Sequence, residues 1–312
     1  MKRIIIDADP GIDDIFAILL AAKSSELKIE GITTVAGNSG LENATKNTFK
    51  ALDLANRLDI HVYRGEEKAL NESNNYASIV HGENGLGGIY YEPIKNQPEN
   101  KTATEYLIDE INNNPGEITI VAIGPLTNIA QAVIKNKSFS KNVKDLIIMG
   151  GALGKGNITP YAEFNFYKDP EAANIVFNAN FKNIIMLGLD VTTKLPLNEK
   201  LEKTLLNMNS DLADFLFKIT RTGADFDRKL GWEGYILNDP LTIAYLLDED
   251  IIKLKNANIT IETSGKKIGK SNINFVEKSN CKVAYEVNPN KFYQILFKNI
   301  FNIEIETENH GK

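Results

Sequence analysis

The sequence predicts an α/β protein: an open, mostly parallel, Rossmann-like sheet flanked by helices, with a small β-elaboration at the C-terminal end. Three observations predict it. Short apolar, β-prone runs recur at 4–6, 29–35, 60–63, 118–123, 146–149 and 184–189. Helical patterns at 12–22, 41–58, 103–112, 126–135 and 170–178 separate most of them. Polar or glycine-rich clusters follow the runs: Asp7 and Asp9 after the first, Gly37-Asn38 after the second, Gly124-Pro125 after the fourth and Gly150-Gly151 after the fifth. Alternation of strand and helix implies right-handed crossovers and a sheet covered on both faces. Ligands of such sheets bind beyond the carboxyl ends of the strands.

Each element has its own local reason. The run 4–6 is three isoleucines, as a strand buried on both faces requires. Pro10 suits the first turn of the helix that follows, with Asp9 as its N-cap. Beyond the sixth run, apolar helical patterns cover 201–219 and 240–247. The polar stretch 222–231, with glycines near both ends, reads as a loop that closes over a site as a lid and excludes water. Residues 257–263 and 282–287 read as strands joined through the turn Ser264-Gly265, and 291–301 as a final helix. There is no internal repeat or Pro/Ser-rich linker, so the 312 residues are expected to form one domain.

Composition narrows the function classes. Hydrophobic residues make up 43% and charged residues 24%, enough for a sizeable core. A net charge of −6 argues against nucleic-acid and anionic-membrane partners, which need a basic footprint. The lone Cys281 has no partner for an internal disulfide. The apolar run after Met1-Lys2-Arg3 is too short for a signal peptide, and no run has the length of a bilayer span. The expectation is a soluble cytoplasmic protein.

The stretch 7–14, DADPGIDD, gathers four carboxylates directly after the first strand. Acids favour a helix N-terminus, each by roughly 0.3–1 kcal/mol, which accounts for one or two of them. A set this crowded repels itself and raises its own pKa values, and a hard divalent cation with oxygen ligands resolves the conflict.

That stretch also resembles the N-terminal DxDPGxDD signature of the nucleoside hydrolases, the inosine-uridine-preferring family. Further segments agree in order: VAGN at 35–38, HGENGLG at 81–87, IGPLTNIA at 123–130, MGG at 149–151, NITPYAEFN at 157–165 and NDP at 238–240. The resemblance implies hydrolysis of the N-glycosidic bond of a ribonucleoside, with Ca2+ as cofactor. It implies Asp9, Asp14, the backbone carbonyl of Ile123 and Asp239 as metal ligands, and Asp9 as general base. Ribose and substrate contacts are implied for Asp13, Asn38, Met149, Asn157, Glu163, Asn165, Asn238 and Asp239. Asp7 is placed behind the ligands, orienting the loop. Homodimers or homotetramers are the family habit. Without the resemblance, Asp239-Pro240 is an ordinary N-cap and proline pair, and Asn157 a plain turn residue.

One position departs from the pattern. Many family members carry histidine where this chain has Asn238, and asparagine cannot transfer a proton near neutral pH. Of the three histidines, His61 lies in a predicted strand and His310 in the tail, which leaves His81 as the candidate for the leaving-group step. Phe226, Trp232 and Tyr235 precede Asn238 and offer faces for a nucleobase, or simple core packing. Two other readings compete: a DxD metal-dependent phosphatase, and a non-catalytic nucleoside sensor that retains the cation.

Overall fold

The computed structural model describes residues 1–71, 81–229 and 231–305. Alternation begins at once, with β1 Lys2–Ala8, α1 Ile12–Lys23, β2 Leu27–Thr34, α2 Leu41–Leu54 and β3 Val62–Arg64. The chain then crosses back through α3 Ala103–Asn113 to β4 Ile118–Ala122, α4 Thr127–Lys135, α5 Phe139–Asn142 and β5 Leu146–Met149. Next come α6 Phe164–Lys168, α7 Pro170–Phe177, β6 Ile184–Leu187 and α8 Leu189–Thr192. A small ribbon, β7 Pro196–Asn198 paired with β8 Gly234–Ile236, encloses α9 Glu199–Leu206 and α10 Asp211–Lys229. Last are α11 Pro240–Leu247, β9 Ile252–Ile261, β10 Ser271–Phe275, β11 Cys281–Val287 and α12 Pro289–Phe301.

The main sheet has nine strands in the order β10-β9-β11-β6-β5-β4-β1-β2-β3. From β3 through β11 all neighbours are parallel; β9 and β10 pair antiparallel at the edge. From β1 the chain steps outward to β2 and β3, then returns to β4 on the other flank. The switch in direction lies between β1 and β4, where such sheets open a crevice for a ligand.

Strand parity explains where the first acid goes. Ile4 and Ile6 belong to the core on one face of the sheet, while Ile5 belongs to the core on the other. Side chains alternate along a strand, so Asp7 shares the face of Ile5. There it meets α4: Asn128 Nδ2 donates to Asp7 Oδ1 at 2.7 Å, and the Thr33 hydroxyl donates to the same oxygen.

Several sequence expectations change. The helix starts at Ile12 with Gly11 as its cap, so Asp9 is not the N-cap and stands outside the helix. The Asp14 carboxylate, one turn in, reaches back to accept from the Gly11 N–H at 2.9 Å. The pattern at 201–219 is two helices, α9 and the start of α10. The expected lid is not a loop: 222–229 continues α10, and Leu230 lies outside the described residues. A helix tolerates Gly223 here because the ring of Tyr235 lies where a Cβ would be, 2.3 Å from it. Between the two predicted terminal strands the chain forms β10 as well as a turn, and β11 joins the main sheet beside β6.

Candidate active site

The loops after β1, β2 and β4 converge at the switch point and pack tightly. The Val35 N–H donates to the Ala8 carbonyl at 2.9 Å, and the Ile123 N–H to the Asp7 carbonyl at 2.8 Å. Asp9 lies between two glycines. A Cβ on Gly37 would fall 2.0 Å from Asp9 Oδ2, and one on Gly124 would fall 2.7 Å from Asp9 Oδ1. The Asn38 N–H donates to Asp9 Oδ2 at 2.6 Å, while Asp9 Oδ1 is buried without a hydrogen-bond partner.

Helix α1 adds Asp13 and Asp14. Asp14 Oδ2 accepts from Gly11 N–H and from Asn38 Nδ2 at 3.1 Å, and its Oδ1 is buried and unpartnered. Asp239 arrives from the start of α11. It occupies a cap position, yet its side chain makes no capping bond. Its carboxyl lies instead close to that of Asp14, within 4.8 Å oxygen to oxygen. One oxygen from each of Asp13, Asp14 and Asp239 lies within 4.8 Å of the others, and all three residues are buried. Burial, reinforced by the charge of Asp13, pushes Asp14 up to about 7. Asp9 and Asp239 are likewise held well above the usual carboxylate range, by burial first and then by neighbouring acids. Buried carboxyls this close need a proton or a cation between them, and a buried charge left unpaired is costly. Orphaned oxygens on Asp9 and Asp14 and the closeness of Asp14 to Asp239 therefore suit a hard, oxygen-liganded cation.

Above the acids lies a cleft lined by polar and aromatic side chains. Asp13, Asn38, His81, Ile123, Met149, Asn157, Glu163, Asn165, Asn238 and Asp239 all line it. Asp9 and Asp14 lie buried beneath. Asp7 is not a lining residue; it ties β1 to β2 and α4 from behind, and burial raises it to about 6.

Glu163 caps α6 and accepts from the N–H groups of Gly151, Asn165 and Phe166 at 2.9, 2.7 and 3.2 Å, while burial lifts it to about 7. Asn165 Nδ2 donates to the carbonyls of Ile123 and Met149 at 3.1 and 3.2 Å, so its Oδ1 is the atom left to accept from a ligand. Asn157 Oδ1 takes the Phe164 N–H at 3.0 Å, a turn-forming bond within the cleft wall. Asn238 links two partners: Thr192 donates to its Oδ1 at 2.8 Å, and its Nδ2 donates to Asp13 Oδ2 at 3.2 Å. Tyr235, held protonated by burial and by nearby Asp13, donates to Asp13 Oδ1 at 3.0 Å.

His81 is constrained in a way the sequence does not show. The Ile12 N–H donates to its Nδ1 at 3.0 Å, and burial lowers its pKa. The ring is neutral, with its proton on Nε2. His61 is exposed and pairs with Glu99; His310 lies outside the described residues. The cleft also contains a residue sequence reasoning missed, Asp227 on α10. Inside a polar run it gives no signal of its own, because only the fold turns that face of the helix inward.

A doubly wound sheet with a carboxylate cluster at its switch point, beneath a cleft lined by polar and aromatic side chains, defines an enzyme of small, hydroxyl-rich ligands. The chain belongs to the family described as inosine-uridine preferring nucleoside hydrolase, whose model matches residues 4–294. It is a ribonucleoside hydrolase. It is 36% identical to uridine nucleosidase 1 of Arabidopsis thaliana over 86% of this chain and 80% of that protein. It is 38% identical to the pyrimidine-specific ribonucleoside hydrolase RihA of Escherichia coli O1:K1 / APEC, over 84% and 85% of the two chains. Among solved structures, a plant nucleoside hydrolase, PpNRh1, superposes with a TM-score of 0.90 at 34% identity, covering 96% of this chain and 98% of that one. A purine-preferring ribonucleoside hydrolase from Gardnerella vaginalis gives 0.89 at 28% identity, covering 96% and 98%.

Proposed function

We propose that this ribonucleoside hydrolase is calcium-dependent, takes pyrimidine ribonucleosides with uridine foremost, and uses Asp9 as its general base. The observation that carries the reading is the buried cluster of Asp13, Asp14 and Asp239, with oxygens within 4.8 Å of one another, beside the orphaned oxygens of Asp9 and Asp14. Asp9, Asp14, Asp239 and the Ile123 carbonyl would hold the cation, with Asp13 close enough to add an oxygen. When bound, calcium polarises a water molecule and lowers its pKa, though much less than zinc would. The names of the relatives in Arabidopsis and Escherichia support the pyrimidine assignment.

The chain's own residues do the rest. Asp9 Oδ1 accepts the proton of the attacking water, while Asn38 N–H fixes the other oxygen. Asp13, Asn38, Asn157, Glu163, Asn165 and Asp239 bind the ribose hydroxyls. As the C1′–N bond breaks, the sugar gains oxocarbenium character, which the surrounding carboxylates stabilise in a water-poor site. The Asn238–Asp13–Tyr235 chain keeps Asp13 aimed at the sugar. A ribonucleoside panel assayed for reducing sugar, with and without chelator, tests the whole reading. Release of ribose that chelator abolishes and calcium restores is the expected result; tight nucleoside binding without ribose release would favour the sensor.

Sugar selectivity follows from the same contacts. Removing a hydroxyl leaves buried polar groups unpaired, so kcat/KM for 2′-deoxyuridine is expected about 10²-fold or more below that for uridine. Comparable values would contradict the assigned ribose contacts.

We further propose a cytoplasmic homodimer or homotetramer, on the strength of the family's habit. No helix among the described residues is long and apolar enough to cross a membrane. Light scattering on a sizing column measures the assembly directly.

A further inference from the structure

The reaction leaves one proton unaccounted for. A departing base carries the electron pair of the broken C1′–N bond and is far more stable when protonated. Asn238 cannot supply that proton, and His81 is a neutral N–H donor locked by Ile12. We propose that Asp227 is the acid that protonates the leaving base. The proposal rests on the reading above and sets the base against Phe226, Trp232 and Tyr235.

Asp227 lines the cleft together with Phe226, Trp232 and Tyr235. It is buried and rigidly mounted: the Ile236 N–H donates to its Oδ2 at 2.9 Å, and the Trp232 N–H donates to its backbone carbonyl at 3.1 Å. A surface-type cation does not neutralise it. Arg228, next in sequence, turns to Glu202 at 2.7 Å and Asp225 at 3.4 Å. The titratable groups that line the cleft with it are Asp13 from α1, His81 from the glycine-rich segment, Glu163 at the start of α6, Tyr235 from β8 and Asp239 at the start of α11, of which the charge of Asp13 bears on it. On α10 itself, Asp225 and Lys229 are exposed. Burial, then the charge of Asp13, pushes Asp227 up to about 7, so a large fraction carries a proton at neutral pH.

The proton count closes. Asp9 takes one proton from water, and the resulting oxygen forms the new bond to C1′. The C1′–N pair leaves with the base, which takes the proton from Asp227. Once base and ribose depart, Asp9 loses its proton to solvent and Asp227 regains one. The bland alternative is that Asp227 merely clamps α10 to β8, through Ile236.

The Asp227→Asn variant separates the two, because asparagine can still accept from Ile236. Uridine is compared with 4-nitrophenyl β-D-ribofuranoside, whose leaving group departs as an anion without a proton. Uridine kcat is expected to fall by about 10²-fold or more, with the nitrophenyl riboside within about threefold of the parent enzyme. The parent's uridine kcat should also fall as pH rises through about 7, a limb absent from the variant and from nitrophenyl riboside hydrolysis. Equal losses on both substrates would make Asp227 a structural clamp, and an unchanged uridine rate would remove it from the reaction. A parent enzyme inactive on both substrates would fail the ribohydrolase reading itself, and this proposal with it.

Discussion

The Asp9→Asn enzyme is expected to bind ribonucleosides and turn them over about 10²–10⁴-fold more slowly than the parent. The substitution is nearly isosteric, so the clearance between Gly37 and Gly124 is kept. The carboxamide oxygen can still accept from the Asn38 N–H. What disappears is the basic oxygen, Oδ1, which lies buried and unpartnered at the floor of the cleft. The loss should therefore fall on kcat, with KM for uridine changed much less. Steady-state release of reducing sugar measures both. Near-normal turnover would take the base role away from Asp9 and pass it to another member of the cluster.

Chelation is expected to destabilise the fold, and more so at pH 8 than at pH 5. In the metal-free protein Asp14 titrates near 7, and Asp9 and Asp239 are also raised. In the unfolded chain all three release protons near the ordinary aspartate value of 3.8. Between those limits the unfolded state binds fewer protons, so rising pH favours unfolding until the folded carboxyls ionise in turn. For Asp14 alone, the two pH units from 5 to about 7, at about 1.4 kcal/mol each, bound the effect at roughly 3 kcal/mol. A chain of this size should lose several degrees of Tm for that cost. Saturating calcium should remove most of the pH dependence, since the ion takes the place of the protons. Thermal melts with chelator and with calcium at the two pH values give the answer. Superimposable melts would mean that protons, not a cation, hold Asp14 and Asp239 together.

Much of the fold was legible because its signals are local. β5 at Leu146–Met149 and α11 at Pro240–Leu247 have the bounds the sequence predicts, and the first six strands all exist. The misreadings have non-local causes. β9 carries an alternating burial pattern that marks it as a strand, but nothing within it says that β11 will pair with β6. The stretch 222–229 reads as loop because it is polar and contains Gly223, a residue the helix accepts only to admit the ring of Tyr235. The acid-rich motif announced the site, and the family resemblance drew in residues as distant as Asp239. Neither could show that Asp239 makes no capping bond, that His81 is held neutral by Ile12, or that α10 delivers a carboxyl to the cleft. Those facts depend on which atoms meet in space.

Gly37 and Gly124 carry no functional group, yet each leaves the Asp9 carboxyl the room it occupies. In a saturation-mutagenesis map scored by growth on uridine as carbon source, both positions should be as intolerant as the aspartates. A methyl group at either one would displace the Asp9 carboxyl, pressing on Oδ2 from Gly37 and on Oδ1 from Gly124, while leaving every reactive side chain in the sequence intact.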